Sequence, residues 1–153
     1  MKNKAATISI SAFLETRKLA IAGVSRDQKK FGFSVVRDLK ERGYDLYLVN
    51  PNTDTLHGEP CFRNISQLPA DVSHLLVLTP KTETLGVVED AVDKGIQNIW
   101  IQQMSETPEA IDYAKNNQVN LIVKQCIFMF AMPVKGFHKF HRNMKKFFGM
   151  LPG

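Results

Sequence analysis

Short, continuous apolar runs alternate with amphipathic stretches along this chain, and that alternation restricts its fold more tightly than any single motif. Parallel strands buried on both faces read as near-continuous hydrophobic runs. Such runs, separated by stretches of helical periodicity, are the pattern of βαβ units. Residues 18–24 read as a first buried strand that stops at Gly23-Val24-Ser25. A helix is expected over 32–42, with Val35, Val36 and Leu39 on one face and Gly43 as its stop. Residues 45–49 form the second strand, closed by Asn50-Pro51, and a long polar loop leads to a short strand near 60–62. Further strands are expected at 74–78, ending at Thr79-Pro80, at 98–101 and at 119–123. Between them, Leu85, Val88 and Val92 stripe a helix that Gly95 ends, and Thr107-Pro108 opens another as an N-cap followed by proline.

Right-handed crossovers make the assembly a doubly wound α/β domain: a mainly parallel, Rossmann-like sheet with helices on both faces. The strand order 3-2-1-4-5-6 places the switch point between the first strand and the one ending at Thr79, and ligands bind beyond the carboxyl ends of the strands there. Gly23-Val24-Ser25-Arg26, Asn50-Pro51 and Thr79-Pro80-Lys81 converge on that point. Gly23 lets a ligand approach the backbone and Ser25 offers a hydroxyl. The helix start near Lys30-Phe31-Gly32 turns amide N–H groups and the positive end of its dipole towards an anion. Arg26, Lys29 and Lys30 add positive charge, so the loop reads as a phosphate cradle. Gln102, at the end of the strand at 98–101, is a further polar contact.

A chain of 153 residues fits one domain. No apolar run approaches the ~20 residues of a membrane span, and the basic N-terminus leads into a stretch too polar for a signal-peptide core. The expected location is the cytoplasm. Cys61 and Cys126 fit a reducing compartment, with no metal-type spacing; Cys126, beside Ile127 and Phe128, reads as a buried hydrophobe rather than a nucleophile. Residues 113–153 carry seven Lys/Arg and no acid. Residues 1–132 are expected to form the ligand-binding domain and 133–153 a basic amphipathic helix. Phe137, Phe140, Met144 and Phe147 would dock that helix on the domain or in a homodimer. His138 and His141 lie one turn apart, too few ligands for a metal site, and none is expected.

The switch point lacks the Gly-x-Gly-x-x-Gly fingerprint: Ser25 follows where a second glycine would stand. It also has Asn50-Pro51 where a dinucleotide site wants an acid for the ribose hydroxyls, which argues against NAD. Ala22-Gly23-Val24-Ser25, Lys30-Phe31-Gly32, Gly43-Tyr44, Val49-Asn50-Pro51, Gly58, Leu68-Pro69, Ile99-Trp100-Ile101-Gln102 and Cys126-Ile127 follow a familiar order. In these segments the chain resembles the small stand-alone CoA-binding proteins, a family similar to the nucleotide-binding domain of the succinyl-CoA synthetase alpha subunit. The resemblance implies coenzyme A as ligand, with Gly23, Ser25 and Arg26 at its phosphates. It places the stretch after Pro51 beside the adenosine, and Thr79 and Pro80 along the adenine or pantetheine path. The synthetase's lysine shortly after the second strand is replaced here by Asn52 and Thr53, with Lys81 or the basic tail as the substitute. The synthetase's phosphohistidine belongs to a second domain, so the resemblance implies binding without catalysis. The expected function is a CoA or acyl-CoA binding protein, a carrier, sensor or regulatory subunit. An enzyme acting on a CoA thioester is one alternative. A nucleic-acid binder using the basic tail is the other, although no reading motif supports it.

Overall fold

The structure, a computed structural model, describes residues 10–131; the C-terminal helix expected over 133–153, with its basic and aromatic faces, lies outside the described residues. The elements run α1 (Ile10–Leu14), β1 (Lys18–Ala22), α2 (Phe31–Glu41), β2 (Asp45–Val49), β3 (Thr55–Leu56) and β4 (Glu59–Phe62). After a 3₁₀ turn at Ile65–Gln67 come β5 (His74–Val77), α3 (Lys81–Lys94), β6 (Asn98–Gln102), α4 (Pro108–Asn116), β7 (Asn120–Gln125) and α5 (Phe128–Ala131). The seven strands form one sheet in the order β3-β4-β2-β1-β5-β6-β7. Every pairing is parallel except the two-residue β3 against β4. The six strands expected from sequence thus take the Rossmann-like order, and β3 is added at the edge as half of a hairpin.

The pleat divides the core in two. In β1, Leu19 and Ile21 join Leu48, Leu76, Trp100 and Ile122 beneath α1, α2 and α5, while Ala20 and Ala22 face the other way. That second face adds Val49, Leu75, Val77, Ile99 and Ile101, covered by Val88 and Ala91 of α3 and Ala110 and Ala114 of α4. Strands whose side chains are buried on both sides must read as unbroken apolar runs. Trp100 is fully buried, packs edge-on to Phe13 at 5.4 Å and donates from Nε1 to the Gln125 carbonyl at 3.0 Å, so it serves the core.

Helix ends follow local chemistry. Thr107 Oγ1 accepts from the Ala110 N–H at 3.1 Å with Pro108 at the first helical position. Gly95, at φ +93°, closes α3 in the left-handed conformation that a glycine adopts without penalty. No helix among the described residues is long and apolar enough to cross a membrane.

Candidate functional site

A cleft of about 670 Å³ opens at the carboxyl ends of β1, β2 and β5, within the range usual for small-molecule and cofactor sites. Of the residues expected there, Gly23, Val24, Ser25, Arg26, Asn50, Pro51, Thr79 and Pro80 line it. Gly23 ends β1 at φ +100°. A Cβ on it would lie 2.5 Å from the Thr79 nitrogen and 2.6 Å from the Leu78 carbonyl carbon, so the two strand ends meet backbone to backbone. The Leu78 N–H donates to the Ala22 carbonyl at 2.8 Å and holds them there.

The loop between β1 and α2 is built by its own side chains. Ser25 Oγ accepts from the Asp27 N–H at 3.0 Å, and Asp27 Oδ1 accepts from the Lys29 N–H at 2.9 Å. His57, at φ +51° in the β3–β4 turn, donates from Nε2 to the Ser25 carbonyl at 2.8 Å and sets its ring edge-on to Phe33 at 4.6 Å. Asn50 donates from Nδ2 to the Val24 carbonyl at 3.0 Å, while its Oδ1 accepts from the Asn52 N–H at 2.8 Å. Where a dinucleotide site would offer a carboxylate to the ribose, this chain has an amide that ties the end of β2 to the loop through Nδ2 and closes its own turn through Oδ1.

Five expected contacts lie elsewhere among the described residues. Lys30 is the exposed N-cap of α2, and Phe31 turns inward, edge-on to Phe128 at 5.0 Å. Gly32 is a packing glycine: a Cβ there would meet Val24 Cα at 3.3 Å, so its absence lets α2 sit close to the end of β1. Lys81 opens α3, but the cleft face of that helix is Glu83, Val87 and Asp90. At 3.6 residues per turn, Lys81 lies about 160° round the helix from Glu83. Gln102 shares the parity of Trp100 and so points to the opposite face of the sheet, where its Oε1 accepts from the Ile127 N–H at 3.0 Å. Thr79 lines the cleft with its hydroxyl already engaged. It is buried, and its hydroxyl meets Thr84 Oγ1 at 2.7 Å, which in turn donates to the Ser105 carbonyl at 2.7 Å.

Sequence reasoning missed part of the wall. Asp27, Arg63, Asn64, Ile65, Glu83, Val87 and Asp90 also line the cleft. The i, i+4, i+7 spacing of Glu83, Val87 and Asp90 was a readable signal of a single helix face. Arg63 carried only its position, immediately after a short strand. Its Nε donates to Asp54 Oδ1 at 2.7 Å and its Nη1 to the Pro51 carbonyl at 3.3 Å. The hydrogen bond and positive charge of Arg63 hold the Asp54 carboxyl below its ordinary range.

Neither cysteine lines the cleft. Cys126 is 3% exposed, and burial pushes its thiol up, with the Gln102 amide and the Phe128 and Met129 N–H groups acting in the opposite direction. Burial also raises the half-buried Cys61. A thiol held protonated is a poor nucleophile. Among the described residues, no group of three or more His, Cys, Asp or Glu is placed to hold a metal ion.

A sequence model of the CoA binding domain matches residues 17–131, from the start of β1 through α5. The chain belongs to the CoA-binding domain family. Its relatives include the alpha subunit of an ADP-forming acetate–CoA ligase II from Pyrococcus furiosus, 24% identical over 126 residues, covering 75% of this chain and 28% of that subunit. The chain thus spans little more than a quarter of this ligase subunit. Uncharacterized protein YneT of Bacillus subtilis is 21% identical, covering 73% of this chain and 83% of YneT. Among solved structures, a conserved hypothetical protein from Pyrococcus furiosus superposes with a TM-score of 0.70 at 32% identity, covering 72% of this chain and 96% of that one. The family match covers every element that lines the cleft.

Proposed function

We propose that this chain binds coenzyme A or an acyl-CoA in the cleft and acts as a non-catalytic carrier, sensor or regulatory subunit in the cytoplasm. The observation that carries this reading is the junction of β1 and β5. Gly23, Val24, Ser25 and Arg26 line the cleft at the switch point, while the end of β2 presents an engaged amide in place of a ribose-binding acid. In this reading Ser25 and Arg26 meet the pyrophosphate, and Pro51, Asn52 and Ile65 flank the adenosine. Pro80, Glu83 and Val87 border the path of the pantetheine, whose amide N–H groups suit an acidic wall better than phosphates would. The family membership supports CoA as the ligand. The protonated thiols of Cys61 and Cys126, both away from the cleft, support binding over acyl transfer.

The test is a melting-temperature titration with CoA, acetyl-CoA, NAD and NADP. A ligand at 100 times its Kd stabilises the native state by about 2.7 kcal/mol. At about 2–4 °C per kcal/mol for a chain of this size, CoA should raise the midpoint by roughly 5–10 °C. NAD and NADP should raise it little. An NAD shift equal to or above that of CoA would overturn the assignment.

A further inference from the structure

Arg63 follows β4, and the parallel register of β4 on β2, with Phe62 opposite Val49, carries it to the rim of the cleft beside Pro51. Of the five N–H donors of a guanidinium, the bonds to Asp54 and Pro51 take the Nε proton and one Nη1 proton. Together they fix the plane of the group. The Nη2 pair and the second Nη1 proton make no hydrogen bond to the described residues, and the side chain is 51% exposed. A guanidinium held in this way is oriented before any ligand arrives, and its unengaged Nη2 protons can donate to a phosphate oxygen.

In Rossmann-type sites the groups beside the end of the second strand read the adenosine ribose. A carboxylate accepts from free hydroxyls, whereas an arginine accommodates a phosphate on the ribose. Here the end of β2 offers no carboxylate to the ribose: Asn50 is tied to Val24 and Asn52, and Asp54 is tied to Arg63. We infer that Arg63 recognises the 3′-phosphate on the adenosine ribose of CoA, so that this cleft selects CoA over its 3′-dephosphorylated form. The inference rests on the CoA reading above. It gives Arg63 the role of specificity determinant, with Asp54 as the residue that positions it.

The experiment is calorimetric titration of the full chain with CoA and with 3′-dephospho-CoA. A hydrogen bond to a charged group is worth about tenfold in affinity or more. The wild-type chain should therefore bind CoA at least about tenfold more tightly than dephospho-CoA. In Arg63→Ala that preference should collapse to within about threefold through weaker CoA binding alone, with dephospho-CoA changed by less than about threefold. Arg63→Lys, which keeps the charge but loses the fork, should recover part of the preference. A purely structural role would weaken both ligands alike, and that result would overturn the assignment. So would a wild-type chain that binds the two ligands equally. A wild-type chain that binds neither would fail the CoA reading itself, and Arg63's role with it, which is distinct from binding that survives without discrimination.

Discussion

Substituting Gly23 by alanine tests the junction on which the cleft depends. The change has two separable costs. A Cβ at φ +100° is strained wherever it occurs, by about 1–2 kcal/mol. At this position the Cβ would also sit 2.5, 2.6 and 2.8 Å from backbone atoms of Leu78 and Thr79, none of which can rotate away. Relief requires β1 and β5 to part and strains the bond from the Leu78 N–H to the Ala22 carbonyl. Overpacking of this kind costs about 1–3 kcal/mol. The sum, about 2–5 kcal/mol, is a large share of the 5–15 kcal/mol typical of a domain. Gly43→Ala is the matched control: φ is +90° but nothing lies within 4 Å of the added carbon, so only the conformational cost applies. Urea denaturation of both variants against wild type isolates the contact cost as the difference between them. Gly23→Ala should be the less stable by about 1–3 kcal/mol and should bind CoA poorly at temperatures where it remains folded. Equal stability of the two variants would refute the close approach of the strands.

Other substitutions test other parts of the account. Thr107→Ala should cost about 1 kcal/mol by removing the cap on the Ala110 N–H, with Thr107→Ser close to wild type in the same denaturation assay. His74 is half-buried against Phe13, and burial lowers its imidazole below the usual 6.5. The unfolded chain therefore takes up the proton first, so stability should fall as pH drops below about 6.5 and level off once the folded form also protonates. His74→Gln should flatten that slope in urea midpoints measured from about pH 7 to about pH 5, and an unchanged slope would assign it to other groups. Iodoacetamide on the native chain should alkylate half-buried Cys61 before Cys126, which should react only on unfolding; labelling of native Cys126 at the rate of a free thiol would contradict its burial.

Much of the fold was legible because the strands at 75–77 and 99–101 are buried on both faces and appear as unbroken apolar runs. Crossover handedness then left little freedom in their order. The first helix, Ile10–Leu14, escaped notice because five residues are too few to display a helical period. At the site, the turn residues that join strand ends were readable from type and position: Gly23, Ser25, Asn50 and Pro51 stand where chain direction must change. Gln102 was misplaced because a strand end specifies a location and not a face; counting parity from Trp100 would have turned it away from the cleft. Gly32 shows that a glycine near a phosphate loop can serve helix packing instead, a distinction made only by what a Cβ would touch. Arg63 was hidden for a topological reason. It lies 12 residues beyond Pro51, and only the parallel pairing of β4 with β2 brings its guanidinium to the Pro51 carbonyl.

The central claim, that the switch-point cleft holds CoA, is tested most directly by native mass spectrometry of the freshly purified chain, followed by addition of CoA or NAD in equal amounts. The account predicts a one-to-one adduct with the mass of CoA or an acyl-CoA, either retained from the cell or formed on addition. That adduct should release its ligand on denaturation, and Arg26→Ala should weaken it. A chain that stays bare at CoA concentrations where it takes up NAD would contradict the account.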